Sequence, residues 1–145
     1  MVRNVSRYGY LIAAVVFVLG VLAQVFFVGL SLLGGRPSWG AHIALGHSLL
    51  LVALLLVLLA YLGRMERPIK PLAWVNLVVY LLLADFVVFL RGVAPFAAAL
   101  HPVLALILFA VAAMLVSRAW RAVRSPELEA SRARAGRMVQ ETAAE

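Results

Sequence analysis

Three histidines, His42, His47 and His101, are the residues with the most chemistry to offer, and each lies near the same edge of a strongly apolar segment. An imidazole in or beside lipid is costly unless it pairs or coordinates something, and neutral imidazole is a common ligand for metals and heme iron. Two of them at matched depth on different helices therefore point to a cofactor held between helices. The chain has no cysteine, which excludes iron–sulfur clusters, covalent heme attachment, disulfides and thiol chemistry. Imidazole or thioether ligands remain. Met65 and Met138 fall in a loop and in the tail, and Met114 lies toward the opposite side, so none matches the histidines in depth. The expected cofactor is heme b with two histidines on its iron.

His42 and His47 cannot both serve one iron from the same direction, because five residues turn a helix by about 140°. A weak internal repeat favours His42. Gln24, in Ala23-Gln24-Val25, precedes a break, Pro37 and then His42; Asp85, in Ala84-Asp85-Phe86, precedes a break, Pro95 and then His101. His101 aligns with His42 in this reading. Depth argues the other way, since His47 sits about 7 Å further along the helix, and His47 stands as the alternative ligand.

The neighbouring residues fit a flat macrocycle. Four positions beyond each histidine, about one turn deeper and only about 40° round, stand Gly46 and Ala105, small enough for a planar group to lie against both helices. Arg36 and Arg91 are the only basic residues at this edge; they suit two propionates, although interfacial anchoring accounts for them equally well. Trp39 is placed to wall the pocket edge. Gln24 and Asp85 read as buried polar groups. Gln24 suits an interhelical hydrogen bond, and Asp85 suits either a bond to a ligand imidazole or proton relay to a quinone.

The elements that must position these residues follow from composition. With 66% hydrophobic and 13% charged residues and a mean hydropathy of +1.05, the chain reads as an integral membrane protein. Four spans of about 20 residues or more are expected, at roughly 8–33, 37–62, 71–90 and 95–117. Gly34-Gly35-Arg36-Pro37, the stretch from Arg64 to Pro71, and Arg91-Gly92 with Pro95 separate them, each proline suiting a first helical turn. The expected fold is an all-α integral membrane protein, an antiparallel four-helix bundle built from two pseudo-repeated helical hairpins. Residues 1–124 form the membrane domain and 125–145 a polar tail, either continuing the fourth helix or lying as a solvated terminus. Most of the basic residues flank the termini and the central loop, which places both termini in the cytoplasm and the histidines toward the outer leaflet of a bacterial inner membrane. The net charge of +7 is thus topology and anionic-lipid affinity, with no sign of nucleic-acid binding. No phosphate loop or nucleophile elbow is present.

The runs Gln24-Val25-Phe26-Phe27-Val28-Gly29-Leu30, His42-Ile43-Ala44-Leu45-Gly46 and Leu100-His101-Pro102-Val103 resemble a family of small four-span bacterial membrane proteins of unknown function. More remotely, paired hairpins with a histidine near each outer helix end resemble halves of heme A synthase and small membrane b-type cytochromes. Those resemblances imply heme between histidine-bearing helices and, in the cytochromes, electron exchange with quinone. Three histidines are too few for two bis-histidine hemes, so a one-heme module, a candidate heme-dependent membrane oxidoreductase, is the expectation. It would pass electrons between an extracytoplasmic donor and quinone. Two rivals stand beside it: a cofactor-free structural or assembly subunit of a larger membrane complex, and a small transporter or metal-site protein using His47, His101 and Asp85.

Overall fold

The computed structural model describes residues 2–34 and 39–144, with side chains over 5–34, 39–86 and 88–124. Helix α1 spans Val2–Leu33, α2 Trp39–Leu62 and α3 Ile69–Leu81. A π-helical turn, Leu82–Phe86, joins α3 to the short α4, Val87–Leu90. After a turn come α5, Pro95–Ala98, and α6, Leu100–Ala144. No strand occurs among the described residues.

Four segments are long and apolar enough to cross a membrane: Val5–Leu33, Trp39–Leu62, Ile69–Leu90 and Pro95–Arg124. They match the four expected spans closely, and the chain is a multi-pass membrane protein. Outward-facing residues such as Ile12, Phe26, Leu51 and Leu106 are more than half exposed, an apolar surface suited to lipid. The polar tail continues the last helix without interruption to Ala144.

The breaks have local causes. Pro102 has no N–H to give the carbonyl one turn back, and its ring crowds that carbonyl, so the helix opened by Pro95 stops at Ala98 and restarts at Leu100. Helix α2 ends in a Schellman arrangement, with Met65 N–H on Ala60 O at 3.0 Å and Arg64 N–H on Tyr61 O at 3.0 Å. Arg64 takes the left-handed conformation there, φ 46°, where glycine is usual. The Arg7 guanidinium donates to Gly63 O at 3.3 Å and ties the start of α1 to this turn.

Helix α1 packs against α2 and α6, and α3 packs against the same two. The four long helices thus form a ring in which α2 and α6 stand diagonally opposed, as do α1 and α3. One core runs through the bundle. A single fixed shift along the sequence, the one that carries His42 onto His101, also carries buried residues onto buried residues. Tyr10 maps to Ile69, Ala14 to Ala73, Phe17 to Asn76 and Val21 to Tyr80; Leu49 maps to Leu108, Ala53 to Ala112, Leu56 to Leu115 and Ala60 to Ala119. The hairpins α1–α2 and α3–α6 are two copies of one packing scheme about a pseudo-twofold axis.

Candidate functional site

At the end of the bundle opposite the Arg64–Lys70 loop, the diagonal helices α2 and α6 each carry a histidine toward the axis. The rings of His42 and His101 lie 6.2 Å apart between centroids, their planes tilted by 55°. Each is half-buried. His42 Nδ1 bonds the carbonyl of Gln24 at 3.3 Å, and His101 Nδ1 bonds the carbonyl of Leu83 at 3.1 Å. Both bonds span 18 positions, so the same shift that relates the cores relates these contacts. A carbonyl oxygen only accepts, so Nδ1 carries the proton in both rings, and in the neutral imidazole the lone pair sits on Nε2. That tautomer, with the far nitrogen tied to a carbonyl, is the one metal-binding histidines commonly adopt.

His47 is placed differently. It is exposed, and its Nδ1 bonds Ile43 O of its own helix at 2.9 Å. The histidine pair brought together at the axis is His42 with His101. Trp39 stands edge-on to His42, with centroids 6.0 Å apart, and is 45% exposed, a rim position. Arg91 is exposed in the turn after α4; Arg36, expected to play the matching role, lies outside the described residues.

One turn deeper, Gly46 and Ala105 are half-buried. A methyl group on Gly46 would lie 2.9 Å from Gln24 Nε2, so the space this glycine leaves open is taken by the Gln24 carboxamide. Gln24 Oε1 is buried without a hydrogen-bond partner. The Tyr80 hydroxyl donates to Gly46 O, and its ring meets Phe17 edge-on, centroids 6.3 Å apart.

Asp85 departs from the expectation of a buried group beside the histidines. It is exposed on the outside of the π turn, in an apolar groove with Val78, Leu81, Leu82, Phe86 and Phe89. The shift that superposes the hairpins explains this. Gln24 corresponds to Leu83, and Asp85 corresponds to Phe26, itself an outward residue at 64% exposure. Reading Gln24 against Asp85 placed the repeat two residues out of register. His47, His101 and Asp85 do not converge, and no cluster of three or more histidine, aspartate or glutamate side chains suited to a metal occurs among the described residues.

Three further polar side chains, Tyr10, Asn76 and Tyr80, stand outside the set of candidate residues that the sequence points to. All three are buried, and both polar atoms of Asn76 and the Tyr10 hydroxyl have no partner. The seven-residue spacing of Tyr10, Phe17 and Gln24, and of Ile69, Asn76 and Leu83, is the signal that places Tyr10 and Asn76 on inward stripes, and Tyr80 follows one turn after Asn76.

Fold and site together define a four-span helical membrane protein with a symmetry-related histidine pair on its axis. Residues 24–85 match a family of unknown function, DUF6220, a stretch that includes His42 and stops short of His101. No match is found among curated proteins or among solved structures.

Proposed function

We propose that the protein binds one b-type heme between His42 and His101 and works in membrane electron transfer. The observation that carries this reading is the diagonal pair of imidazoles with tied Nδ1 atoms and ring centroids 6.2 Å apart. The two free Nε2 lone pairs would supply both protein ligands of one heme iron. Such a heme supplies one-electron chemistry at the bundle axis.

The chain's own residues do the holding and orienting. The carbonyls of Gln24 and Leu83 fix each imidazole's tautomer and rotation, Trp39 covers the rim beside His42, and Arg91, exposed in the turn after α4, would meet a propionate. The Asp85 groove opens outward among Phe86 and Phe89, a surface at which a lipid-dissolved quinone would approach. By the distribution of basic residues, the termini lie in the cytoplasm and the histidine end faces outward from a bacterial inner membrane.

The test is a reduced-minus-oxidised spectrum of protein purified from heme-replete cells. A Soret band that shifts on reduction and disappears in both His42→Ala and His101→Ala, yet persists in His47→Ala, is the expected result. A colourless preparation, or loss of the band with His47→Ala alone, overturns the reading.

A further inference from the structure

The basic end of the bundle holds a cavity far from the histidine pair. It lies where the start of α3 meets α6, has a volume of about 340 Å³, and is lined by Glu66, Pro68, Ile69, Arg118, Arg121 and Ala122. That size falls within the range of about 300–1,000 Å³ typical of small-molecule sites. Ile69 and Ala122 give it a buried apolar floor. Arg118 is half-buried, and Glu66 and Arg121 are exposed at its edge.

Its depth decides what can reach it. From Pro95 to Ser117 the last span carries no aspartate, glutamate, lysine or arginine, and Arg118 is the first such residue. Trp74 and Trp120, near the same end, are about half-exposed, and such aromatic side chains mark the boundary between hydrocarbon and headgroups. Apolar side chains lead from the cavity toward the hydrocarbon. Met114 and Ile107 lie about one and three turns before Arg118 on one face of α6, and Val75 lies about two turns after Pro68 on α3. All three are outward-facing, at 45–46% exposure. A ligand with a polar head and apolar tails fits this layout better than a water-soluble one.

The two arginines are not part of the packing that the hairpins share. The shift that carries His42 onto His101 carries Leu59 onto Arg118 and Leu62 onto Arg121. In the first hairpin the corresponding place is closed, with Leu59 Cδ1 3.8 Å from where a methyl on Gly9 would stand and the Arg7 guanidinium on Gly63 O. Guanidinium groups at positions three apart on one helix face present planar sets of donors that match phosphate oxygens. Glu66 leaves the lining with a single net positive charge, which one phosphodiester monoanion balances. Its carboxylate can accept hydrogen bonds from headgroup hydroxyls. We propose that this cavity holds the headgroup of one phospholipid of the phosphatidylglycerol kind, with the phosphodiester on Arg118 and Arg121, the glycerol hydroxyls toward Glu66, and the acyl chains along Met114, Ile107 and Val75. The site is independent of whether a heme is bound.

The test is native mass spectrometry of the full chain in detergent with equal amounts of phosphatidylglycerol and phosphatidylcholine of the same acyl chains. One phosphatidylglycerol should be retained over phosphatidylcholine by about tenfold, and Arg118→Gln and Arg121→Gln should each weaken its retention by about fivefold. Arg124→Gln removes the same charge from a guanidinium stacked on Trp120, outside the cavity lining, and should leave retention within about twofold of the parent. Glycerol phosphate, which offers the same phosphate chemistry without acyl chains, should not displace the lipid at equal concentration. Equal retention of the two lipids, equal losses in all three variants, or displacement by glycerol phosphate each overturns the proposal.

Discussion

Gly20→Ala probes the approach of α1 to α2, and its outcome is set by two opposing terms. In a helix interior alanine is favoured over glycine by about 1 kcal/mol. Against this, the added methyl would lie 2.4 Å from Leu49 Cδ2 and 3.3 Å from both Cδ1 and Cγ. Leu49 is only 4% exposed, so its side chain cannot swing into open space and the helices must part. Overpacking of this kind costs about 1–3 kcal/mol, which leaves a net destabilisation of about 1 kcal/mol, up to about 2. Leu49→Ala alone should cost about 2–5 kcal/mol through its cavity. In the double variant the new methyl takes part of the vacated volume, so the total should fall short of the sum by about 1–2 kcal/mol. Reversible unfolding in mixed detergent micelles, followed by circular dichroism, reads all three variants. A Gly20→Ala protein more stable than the parent, or a strictly additive double variant, refutes the claim that this glycine exists for the contact. Leu49 lies two turns from His42 on the same stripe, so a displaced α2 should also loosen whatever the histidine pair holds.

Leu56 and Leu115 occupy the same position in the two hairpins and are both 0% exposed; truncating either to alanine should cost about 2–5 kcal/mol, with the two values within about 1 kcal/mol of each other in the same unfolding assay. Asn76→Leu exchanges a buried amide with no partner in the protein for an apolar side chain, so the unfolding free energy should hold steady or rise; a loss of more than about 2 kcal/mol would mean the amide has a strong protein partner. Asp85→Asn removes a carboxylate from an outward position in the third span and should raise the inserted fraction of that span in a glycosylation-mapping assay, by less than the about 3 kcal/mol of a charge at the bilayer centre; no change would place Asp85 in water.

Hydropathy made the four spans, their breaks and the hairpin organisation legible, because a run of about 20 apolar residues has few alternatives to a membrane helix. Which face of each helix turns inward was much harder to read. These helices are apolar nearly all round, so no polar stripe marks the outside. The pairing of Gln24 with Asp85 went astray for that reason, since Ala-Gln-Val-Phe-Phe and Ala-Asp-Phe-Val-Val look alike where outward and inward positions carry similar residues. The match of His42 with His101 set the register correctly, because an imidazole is rare enough in such a sequence to carry position. The π turn over Leu82–Phe86 has no comparable marker, whereas the restart at Leu100 is written in Pro102.

Two identical hairpins meeting as separate chains would place any residue chosen for one side on the other as well. An asparagine would then confront an asparagine across the centre, and a bulky phenol another phenol. Joining both copies in one polypeptide lifts that obligation. Asn76 can sit level with Phe17, and Tyr80 with Val21, while Leu49, Leu56, Leu108 and Leu115 keep the shared architecture intact. At each level the fused chain can thus give one hairpin a polar side chain and leave its counterpart apolar.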